Sequence, residues 1–451
     1  MSVEWIGILY GFATLFVMLL GVPIAFALGS VALTFMLIFM PHSSLDTVSQ
    51  NVYDEMSSIT LLSIPLFILK GSAIGKSRAG ADLYSAIHAW LGRVPGGLGI
   101  ANILACALFA AMAGSSPATC SAIGSAGIPE MRARGYSSRF AAGVIAAGGT
   151  LGILLPPSVT MILYSVAAEV SLGRLFLGAL GPGLLLVILF SMYAAWNYKK
   201  EYREALRIYQ SGGVKSAYLD NEVLTLKQKT AMLPRILPFV ILLIGVMIAL
   251  YGGYATPSET AGLGGVLALL LIFIIYRVWR PRDLSPILGA TLKESSMLML
   301  IVGMSLLYSY VMSYLQISQS AAQWVVGLHL SKWFLLIAIL IFIVVLGFFL
   351  PPVSIILMTS PIILPPLKAA GFDLIWFGVM MTIVMEMGLI HPPVGLNLFV
   401  IKSVAPDIPL KDVVWGVVPF ILLMILSLIL LSVFPAIVSA IPNSMLGVAL
   451  S

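Results

Sequence analysis

The chain has 451 residues, of which 60% are hydrophobic and only 9% are charged, and its mean hydropathy is +1.07. Soluble proteins carry about 25% charged residues, whereas this chain repeats apolar runs of about 20 residues, enough to cross a bilayer. The composition excludes a soluble protein, and the net charge of +6 reports membrane topology instead of nucleic-acid binding. We therefore predict an all-α polytopic protein embedded in the lipid bilayer.

The first half of the chain, residues 1–197, opens with spans and an interfacial helix. Residues 5–40 predict two spans separated by Gly21-Val22-Pro23, and residues 59–75 predict a third. Residues 76–95 place charges among apolar positions, which is typical of a helix at the membrane surface. These elements precede the segment at residues 96–128, whose apolar run is interrupted in its middle.

Residues 96–128 are apolar but interrupted by Gly114-Ser115-Ser116-Pro117. Each half has only about 10 to 18 residues, which is marginal for a crossing at 1.5 Å per residue. A re-entrant helical hairpin with residues 114–119 at its tip fits better than two spans. Irregular backbone at that depth requires cover from protein or a watery cavity.

The remaining segments complete two similar halves. A broken helix is predicted at 138–167 and a span at 175–197, and a basic cytoplasmic connection at 198–235 separates the halves. The second half, residues 236–451, is predicted to contain spans at 238–253 and 260–276, a basic arm at 277–293, a span at 295–315, a hairpin at 331–364 with its tip at 347–352, a broken helix at 374–404 and a last span at 413–441.

The two halves are related by an internal repeat. A shift of 236 residues superposes Pro129 on Pro365, Gly152 on Gly388, and Pro156-Pro157 on Pro392-Pro393. Both copies place a glycine and a double proline inside an apolar run. Because proline removes a backbone donor and clashes with the preceding turn, each copy predicts a helix that breaks inside the membrane.

Basic residues predict opposite orientations for the two halves. If both termini lie outside and the hairpins enter from opposite sides, 20 of the 24 Lys and Arg residues are cytoplasmic. The exceptions are Lys70, Arg174, Lys332 and Lys368. This asymmetry agrees with the positive-inside rule and predicts about ten spans arranged as inverted repeats.

Inverted repeats with broken helices are typical of secondary transporters. Helix N-termini at the breaks suit an anion, and free carbonyls and hydroxyls suit Na⁺. The substrate candidates are Ser115, Ser116, Thr150, Pro156, His391 and Asn397. The Na⁺ candidates are Gly114, Ser116, Thr119, Thr150, Gly152, Gly347, Pro351, Gly388 and Pro392.

The polar residues have alternative roles. The hydroxyls at the tips and breaks can instead cap helix ends or satisfy backbone freed by proline. Glu386 lies inside the second broken helix and is either a proton or cation site or the partner of a buried polar group. His391 can bind substrate or a proton or can bond to freed backbone, and Glu259 is expected to cap the helix that begins after Pro257.

Four segments resemble one known family, the large membrane subunit (DctM or M subunit) of tripartite ATP-independent periplasmic (TRAP) transporters. They read GSSPATCSAIGSAGIPEMRARGY, GGTLGILLPPS, YATPSETAG and GLIHPPVGLNLFV. The resemblance implies Na⁺-coupled import of an organic anion, such as a C4-dicarboxylate, a sialic acid or another carboxylate or sulfonate. It also implies an elevator mechanism in the bacterial inner membrane, a separate four-helix small membrane subunit, and a periplasmic binding protein that delivers the substrate.

The chain departs from this family at the hairpin tips. Many members carry an aspartate at each tip, where this chain has Thr119 and Pro351. A cation site here would therefore depend on carbonyls and hydroxyls, which leaves the number and identity of the coupling ions open.

Two other functions are considered. A binding-protein-independent symporter of the dicarboxylate or citrate type would share the inverted-hairpin architecture. An intramembrane protease would need paired carboxylates or an HExxH motif, but none of the eight aspartates lies in mid-span and no such motif occurs. The sequence therefore predicts a transporter and not an enzyme.

Overall fold

A computed structural model describes residues 2–41, 44–91, 94–211, 226–327 and 331–447. All regular structure in these ranges is helical. The helices are α1 (Val3–Leu19), α2 (Ile24–Phe39), α3 (Ser44–Met56), α4 (Ile59–Gly75), α5 (Ala79–Leu91), α6 (Gly97–Ala113), α7 (Ser116–Ala133), α8 (Ser138–Leu154), α9 (Val159–Ala167), α10 (Leu172–Gln210), α11 (Leu226–Tyr251), α12 (Pro257–Tyr276), α13 (Pro281–Tyr314), α14 (Ile317–Gly327), α15 (Lys332–Gly347), α16 (Pro352–Ala369), α17 (Leu374–Ile390), α18 (Leu396–Val404), α19 (Leu410–Val433) and α20 (Ala436–Leu446).

Local sequence chemistry explains where many of these helices begin. Side chains of Ser137, Ser158, Ser171, Ser331 and Asp373 accept hydrogen bonds from the first turns of α8, α9, α10, α15 and α17. Such caps satisfy amide groups that have no partner within the helix. The predicted cap at Glu259 is confirmed, since Thr256 and Glu259 form a reciprocal capping box at the start of α12.

The two predicted hairpins are the helix pairs α6–α7 and α15–α16. In the first, the chain reverses at Gly114 and Ser115, and Gly114 has a φ of +66°, in the left-handed region that glycine adopts readily. Because α7 already begins at Ser116, Thr119 lies in its first turn instead of in the loop. In the second hairpin, residues 348–351 separate Gly347 from the start of α16 at Pro352.

The two predicted broken helices are α8–α9 and α17–α18, and each break contains a cis Pro-Pro bond. Helices α8 and α9 are bent by 42°. The hydroxyl of Tyr164 in α9 donates to the carbonyl of Leu374 at the start of α17 (2.6 Å). The amide of Asn397 in α18 donates to the carbonyl of Ala146 in α8 (3.0 Å). The two broken helices therefore run antiparallel, as an inverted pair requires.

The broken helices form the centre of the protein. Every residue from 140 to 154 in α8 and from 376 to 390 in α17 is buried. Glycine permits backbone contact here: a Cβ atom added to Gly143 would lie 2.2 Å from the carbonyl oxygen of Gly416 in α19. The hairpins and helices α10, α19 and α20 pack around this centre, and α4, α12 and α13 pack beside it.

Polar contacts gather the predicted cytoplasmic ends on one side of the bundle. Arg132, after the first hairpin, pairs with Asp407 in the α18–α19 connection (2.6 Å). The hydroxyl of Ser137 at the start of α8 donates to Glu201 near the end of α10 (2.7 Å). Arg174, which is predicted to lie outside, is at the opposite end of α10. Its guanidinium donates to the carbonyls of Leu446 and Gly447 at the end of α20.

One expectation about an individual segment is wrong. The predicted division between a basic arm at 277–293 and a span at 295–315 is absent, because residues 281–314 form one continuous helix, α13, with no proline between Ile287 and Tyr314. The connection at 198–235 is partly helical, since α10 continues to Gln210 and α11 begins at Leu226, and its cytoplasmic location stays a prediction. Residues 212–225 of this connection lie outside the described residues.

The all-helical membrane architecture is confirmed at a coarse level. Among the described residues, five helices are long and apolar enough to cross a bilayer, or up to eight if each bent pair forms one span. The expected number of about ten spans stays a prediction, as do the division into repeats at 1–197 and 236–451 and the outside location of both termini.

Candidate functional site

A cavity of about 640 Å³ lies between the two hairpin tips. Its volume is within the range of small-molecule sites in proteins, about 300–1,000 Å³. The first hairpin contributes Gly114, Ser115 and Ser116, and the second contributes Pro351, Pro352 and Ser354. Residues of α4 and α13 complete the wall opposite the tips. The fold therefore brings the two tips, which are more than 200 residues apart in sequence, to one cavity.

Four helices begin at this cavity. The first residues of α7, α9, α16 and α18 are Ser116, Val159, Pro352 and Leu396, and all four line it. A helix N-terminus carries partial positive charge and amide groups without intrahelical partners. Their convergence creates an environment suited to an anion, without requiring a cluster of basic side chains.

Each hairpin tip contacts the broken helix of its own repeat through backbone. A Cβ atom on Gly152 would lie 2.6 Å from the carbonyl oxygen of Ser115. A Cβ atom on Gly388 would lie 2.8 Å from the carbonyl oxygen of Gly347. Both repeats therefore use a glycine at equivalent positions to bring the tip and the broken helix together.

A polar contact also joins the two repeats. The side-chain amide of Asn397 in α18 donates to the hydroxyl oxygen of Ser116 in α7 (2.9 Å). The same amide donates to the carbonyl of Ala146 in α8 (3.0 Å). Ser116 and Asn397 are both buried. The start of the second half-helix is thereby fixed to the tip of the first hairpin.

Several hydroxyls near the tips and breaks already donate to the backbone. Thr119 donates to the carbonyl of Ser115 (2.8 Å) and Thr150 donates to that of Ala147 (2.7 Å). Ser158 both donates to Ile153 (2.6 Å) and caps α9. These contacts match the alternative role of satisfying local backbone, although each hydroxyl oxygen retains acceptor capacity.

Ser354 differs from these residues. It lies in the first turn of α16, is buried, and lines the cavity. Its hydroxyl has no hydrogen-bond partner among the described residues. Buried hydroxyls are rarely left without a partner, so this oxygen is available to a bound cation or substrate. With Ser116 and the tip carbonyls it supplies the neutral oxygens that a Na⁺ site without carboxylates would need.

The predicted site residues fall into two groups. Those lining the cavity are Gly114, Ser115, Ser116 and Pro351. Those outside its lining are Thr119, Thr150, Gly152, Pro156, Gly347, Gly388, His391, Pro392 and Asn397. The ring of His391 stacks on Phe348 (centroids 4.4 Å apart), and its Nδ1 contacts the carbonyl of Pro392. The binding roles of both groups stay predictions.

Sequence reasoning missed part of the wall. Lys76 at the end of α4, Glu294 in α13 and Thr160 in α9 also line the cavity. Lys76 was expected only at the membrane surface, and Glu294 was hidden by the assumed division between a basic arm and a span. The segment from Ile287 to Ser295 contains no proline, and this feature of the sequence could have shown that Glu294 belongs to a membrane helix.

Comparison with known proteins identifies related sequences over nearly the whole chain. Residues 12–437 match the family described as "Tripartite ATP-independent periplasmic transporter, DctM component". The C4-dicarboxylate TRAP transporter large permease protein DctM of Rhodobacter capsulatus is 34% identical, with coverage of 94% of this chain and 96% of that protein. The protein of the same name from Pseudomonas aeruginosa is 36% identical, with coverage of 90% and 91%, respectively.

A solved structure shares the fold. The crystal structure of the Alcanivorax borkumensis YdaH transporter, described as having an unusual topology, aligns with a TM-score of 0.66. The alignment covers 93% of this chain and 98% of that chain at 14% sequence identity. At this identity the similarity supports the architecture alone.

Proposed function

The chain belongs to the DctM component family of tripartite ATP-independent periplasmic transporters, and from this premise we propose that it couples the import of an organic anion to Na⁺. It is a large permease subunit, a multi-pass protein of the bacterial inner membrane, and not an enzyme.

The observation that carries the proposal is the convergence of four helix N-termini on the cavity between the hairpin tips. Their partial positive charges and free amide groups favour carboxylate or sulfonate groups. The relatives from R. capsulatus and P. aeruginosa are both named for C4-dicarboxylates, so a C4-dicarboxylate is the first substrate to test. A sialic acid or another carboxylate or sulfonate is the next choice.

Neutral oxygens support Na⁺ as the coupling ion. Ser116 and Ser354 lie at the two tips, and the hydroxyl of Ser354 has no partner among the described residues. The tip carbonyls of Ser115 and Gly347 lie against the glycines of the broken helices. A Na⁺ bound at the tips would add positive charge beside an anionic substrate.

The packing supports an elevator mechanism. The hairpins pack on the broken helices, and α4 and α13 both line the cavity and contact the hairpins. A Cβ atom on Gly71 of α4 would lie 2.4 Å from the carbonyl of Ala113 at the first tip. Because no side chain lies between Gly71 and the carbonyl of Ala113, this contact would allow the first tip to slide along α4 with the bound substrate.

Two partner proteins complete the proposal. A periplasmic binding protein would deliver the anion, and a small four-helix membrane subunit, supplied by another polypeptide, would pack beside the stationary helices. The family description, which names a tripartite periplasmic system, supports both partners.

Uptake by proteoliposomes tests the proposal. The three proteins are reconstituted together, and entry of labelled C4-dicarboxylate is measured with an inward Na⁺ gradient. We expect uptake to require both Na⁺ and the binding protein. Unchanged uptake in choline would exclude Na⁺ coupling, whereas uptake without the binding protein would favour the binding-protein-independent symporter.

A further inference from the structure

Glu386 is a carboxylic acid at the centre of the protein, and none of the described residues is a hydrogen-bond partner of its side chain. It lies in α17, four residues before the helix ends at Ile390, and its side chain is 0% exposed. Neither carboxyl oxygen has a hydrogen-bond partner among the described residues. An ionised carboxylate is strongly unfavourable in such a place, because nothing replaces the water that it has lost. This environment therefore favours the protonated, neutral form of the carboxyl.

Glu386 does not face the hairpin tip. At 3.6 residues per turn, it points about 200° away from Gly388, the residue that contacts the second tip. It lies instead between the face of α17 where Gly378 contacts α9 and the face where Trp376 bonds to α19. The carboxyl is thus separate from the proposed Na⁺ and substrate site.

Within the described part of the chain, the helices packed against α17 place no charged side chain beside Glu386. Their titratable groups lie toward helix ends: Lys332 on α15, Arg139 on α8, Arg174 and the segment from Tyr193 onward on α10, Lys368 on α16, Lys402 on α18, and Lys411 and Asp412 on α19. Tyr164 on α9 is buried, but its hydroxyl donates to Leu374, about 18 Å along α17 from Glu386. His391, at the end of α17, stacks on Phe348.

We propose that Glu386 is a proton-binding site of the transport cycle, which holds a proton in this conformation and releases it to water when the second break rearranges. The break begins five residues after Glu386, and Pro393 and Val394 within it are exposed. In the release step the carboxyl O–H bond breaks and the proton passes to water. In the return step the carboxylate takes a proton from water.

A proton fits this position better than a second Na⁺. A hard cation takes several oxygen ligands, but α17 is an intact helix around Glu386, so its backbone carbonyls are largely used within the helix. No group of three His, Cys, Asp or Glu side chains that could hold a metal occurs among the described residues. A single neutral carboxyl needs no such shell.

Infrared spectroscopy tests the protonation without any transport assay. Spectra of the purified protein in lipid at neutral pH are compared with those of Glu386→Gln. Glu204→Gln, which alters an exposed carboxyl on α10, is the matched control. We expect Glu386→Gln to lose a carbonyl band of a protonated carboxylic acid and Glu204→Gln to lose only carboxylate bands. Loss of carboxylate bands from Glu386→Gln would overturn the proposal, and a bound Na⁺ would give that result.

Reconstituted vesicles test whether the proton moves with the substrate. A pH-sensitive dye in the lumen reports acidification during uptake driven by Na⁺. We expect the wild type to acidify the lumen with the substrate and Glu386→Gln, which imitates the protonated form, to abolish this acidification while substrate still binds. Equal acidification by both proteins would refute the proton site. Absence of substrate binding in every protein would count against the proposed function instead, and would leave the infrared result intact.

Discussion

The two breaks have the same Gly…Pro-Pro pattern but differ in how their polar groups are satisfied. At the first break, Pro156, Pro157 and Ser158 are buried, and Ser158 bonds to the helices on both sides. At the second break, Pro393 and Val394 are exposed, and Gly395 starts α18 without a side-chain cap.

The polar residues around the breaks follow the same division. In the first repeat, Thr119, Thr150 and Ser158 all have partners. In the second repeat, Ser354 and Glu386 are buried without partners among the described residues. The hydroxyls around the first break are therefore satisfied, whereas the second repeat holds a hydroxyl at its tip and a carboxyl in its broken helix that are available to ions or protons. Near-identical local sequence patterns can thus serve different purposes in an inverted pair.

The close glycine contacts are the feature that the repeats share, and their loss should have the largest effect. We expect Gly152→Ala and Gly388→Ala each to cost about 1–3 kcal/mol, because the added methyl group meets backbone that cannot move aside. Uptake should fall toward background in both. Gly173→Ala is the control, since nothing lies within 4 Å of its added Cβ atom. Normal uptake by either variant would show that the tip does not need this approach.

Loss of the hydrogen bonds that Asn397 forms between the two repeats should have the next largest effect. We expect Asn397→Ala to destabilise the protein by about 1–3 kcal/mol, because the buried oxygen of Ser116 and the carbonyl of Ala146 lose a donor. Thermal unfolding in detergent measures this change. Ser116→Ala combined with Asn397→Ala should cost less than the sum of the single variants. Strict additivity would mean that the two side chains are not coupled.

Two serines test the contrast between the repeats directly. We expect Ser158→Ala to lower stability by about 1 kcal/mol, since it removes the cap of α9. Ser354→Ala removes no hydrogen bond within the described residues and should leave the unfolding midpoint unchanged. It should instead raise the Na⁺ concentration needed for half-maximal uptake. If Ser354→Ala lowered the unfolding midpoint and Ser158→Ala changed only the Na⁺ requirement, the contrast between the two serines would be wrong.

The smallest effect concerns the ion pair at the predicted cytoplasmic end. A hydrogen bond from Arg132 holds the pKa of the Asp407 carboxyl below its ordinary value of 3.8. The ion pair therefore contributes its full stability above pH 3.8, the ordinary pKa of the carboxyl. This contribution is lost as the pH falls through the lower pKa that Asp407 has in the folded protein. We expect Asp407→Asn to unfold slightly earlier than the wild type at neutral pH, with a difference that disappears in acid. A constant difference at all pH values would contradict this assignment.

The sequence by itself determined the helical membrane fold, the positions of both hairpins and both breaks, and membership of the family. Each depends on local chemistry: the length of apolar runs, the glycine at residue 114 that permits a left-handed turn, and the prolines that interrupt a helix. The repeat was revealed because the same shift of 236 residues relates Gly152 to Gly388 and Pro156-Pro157 to Pro392-Pro393.

Only the tertiary structure decided which polar groups are satisfied and which remain available. Apolar periodicity does not tell which face of a helix meets which partner, so the bond between Asn397 and Ser116 could not be predicted from residues 281 positions apart. Nor could sequence distinguish Ser354 from Ser158, since both are serines near the start of a helix behind prolines. Their difference arises from their tertiary surroundings: the hydroxyl of Ser158 meets the carbonyl of Ile153 in its own broken helix, whereas the hydroxyl of Ser354 meets no partner among the described residues beside the cavity.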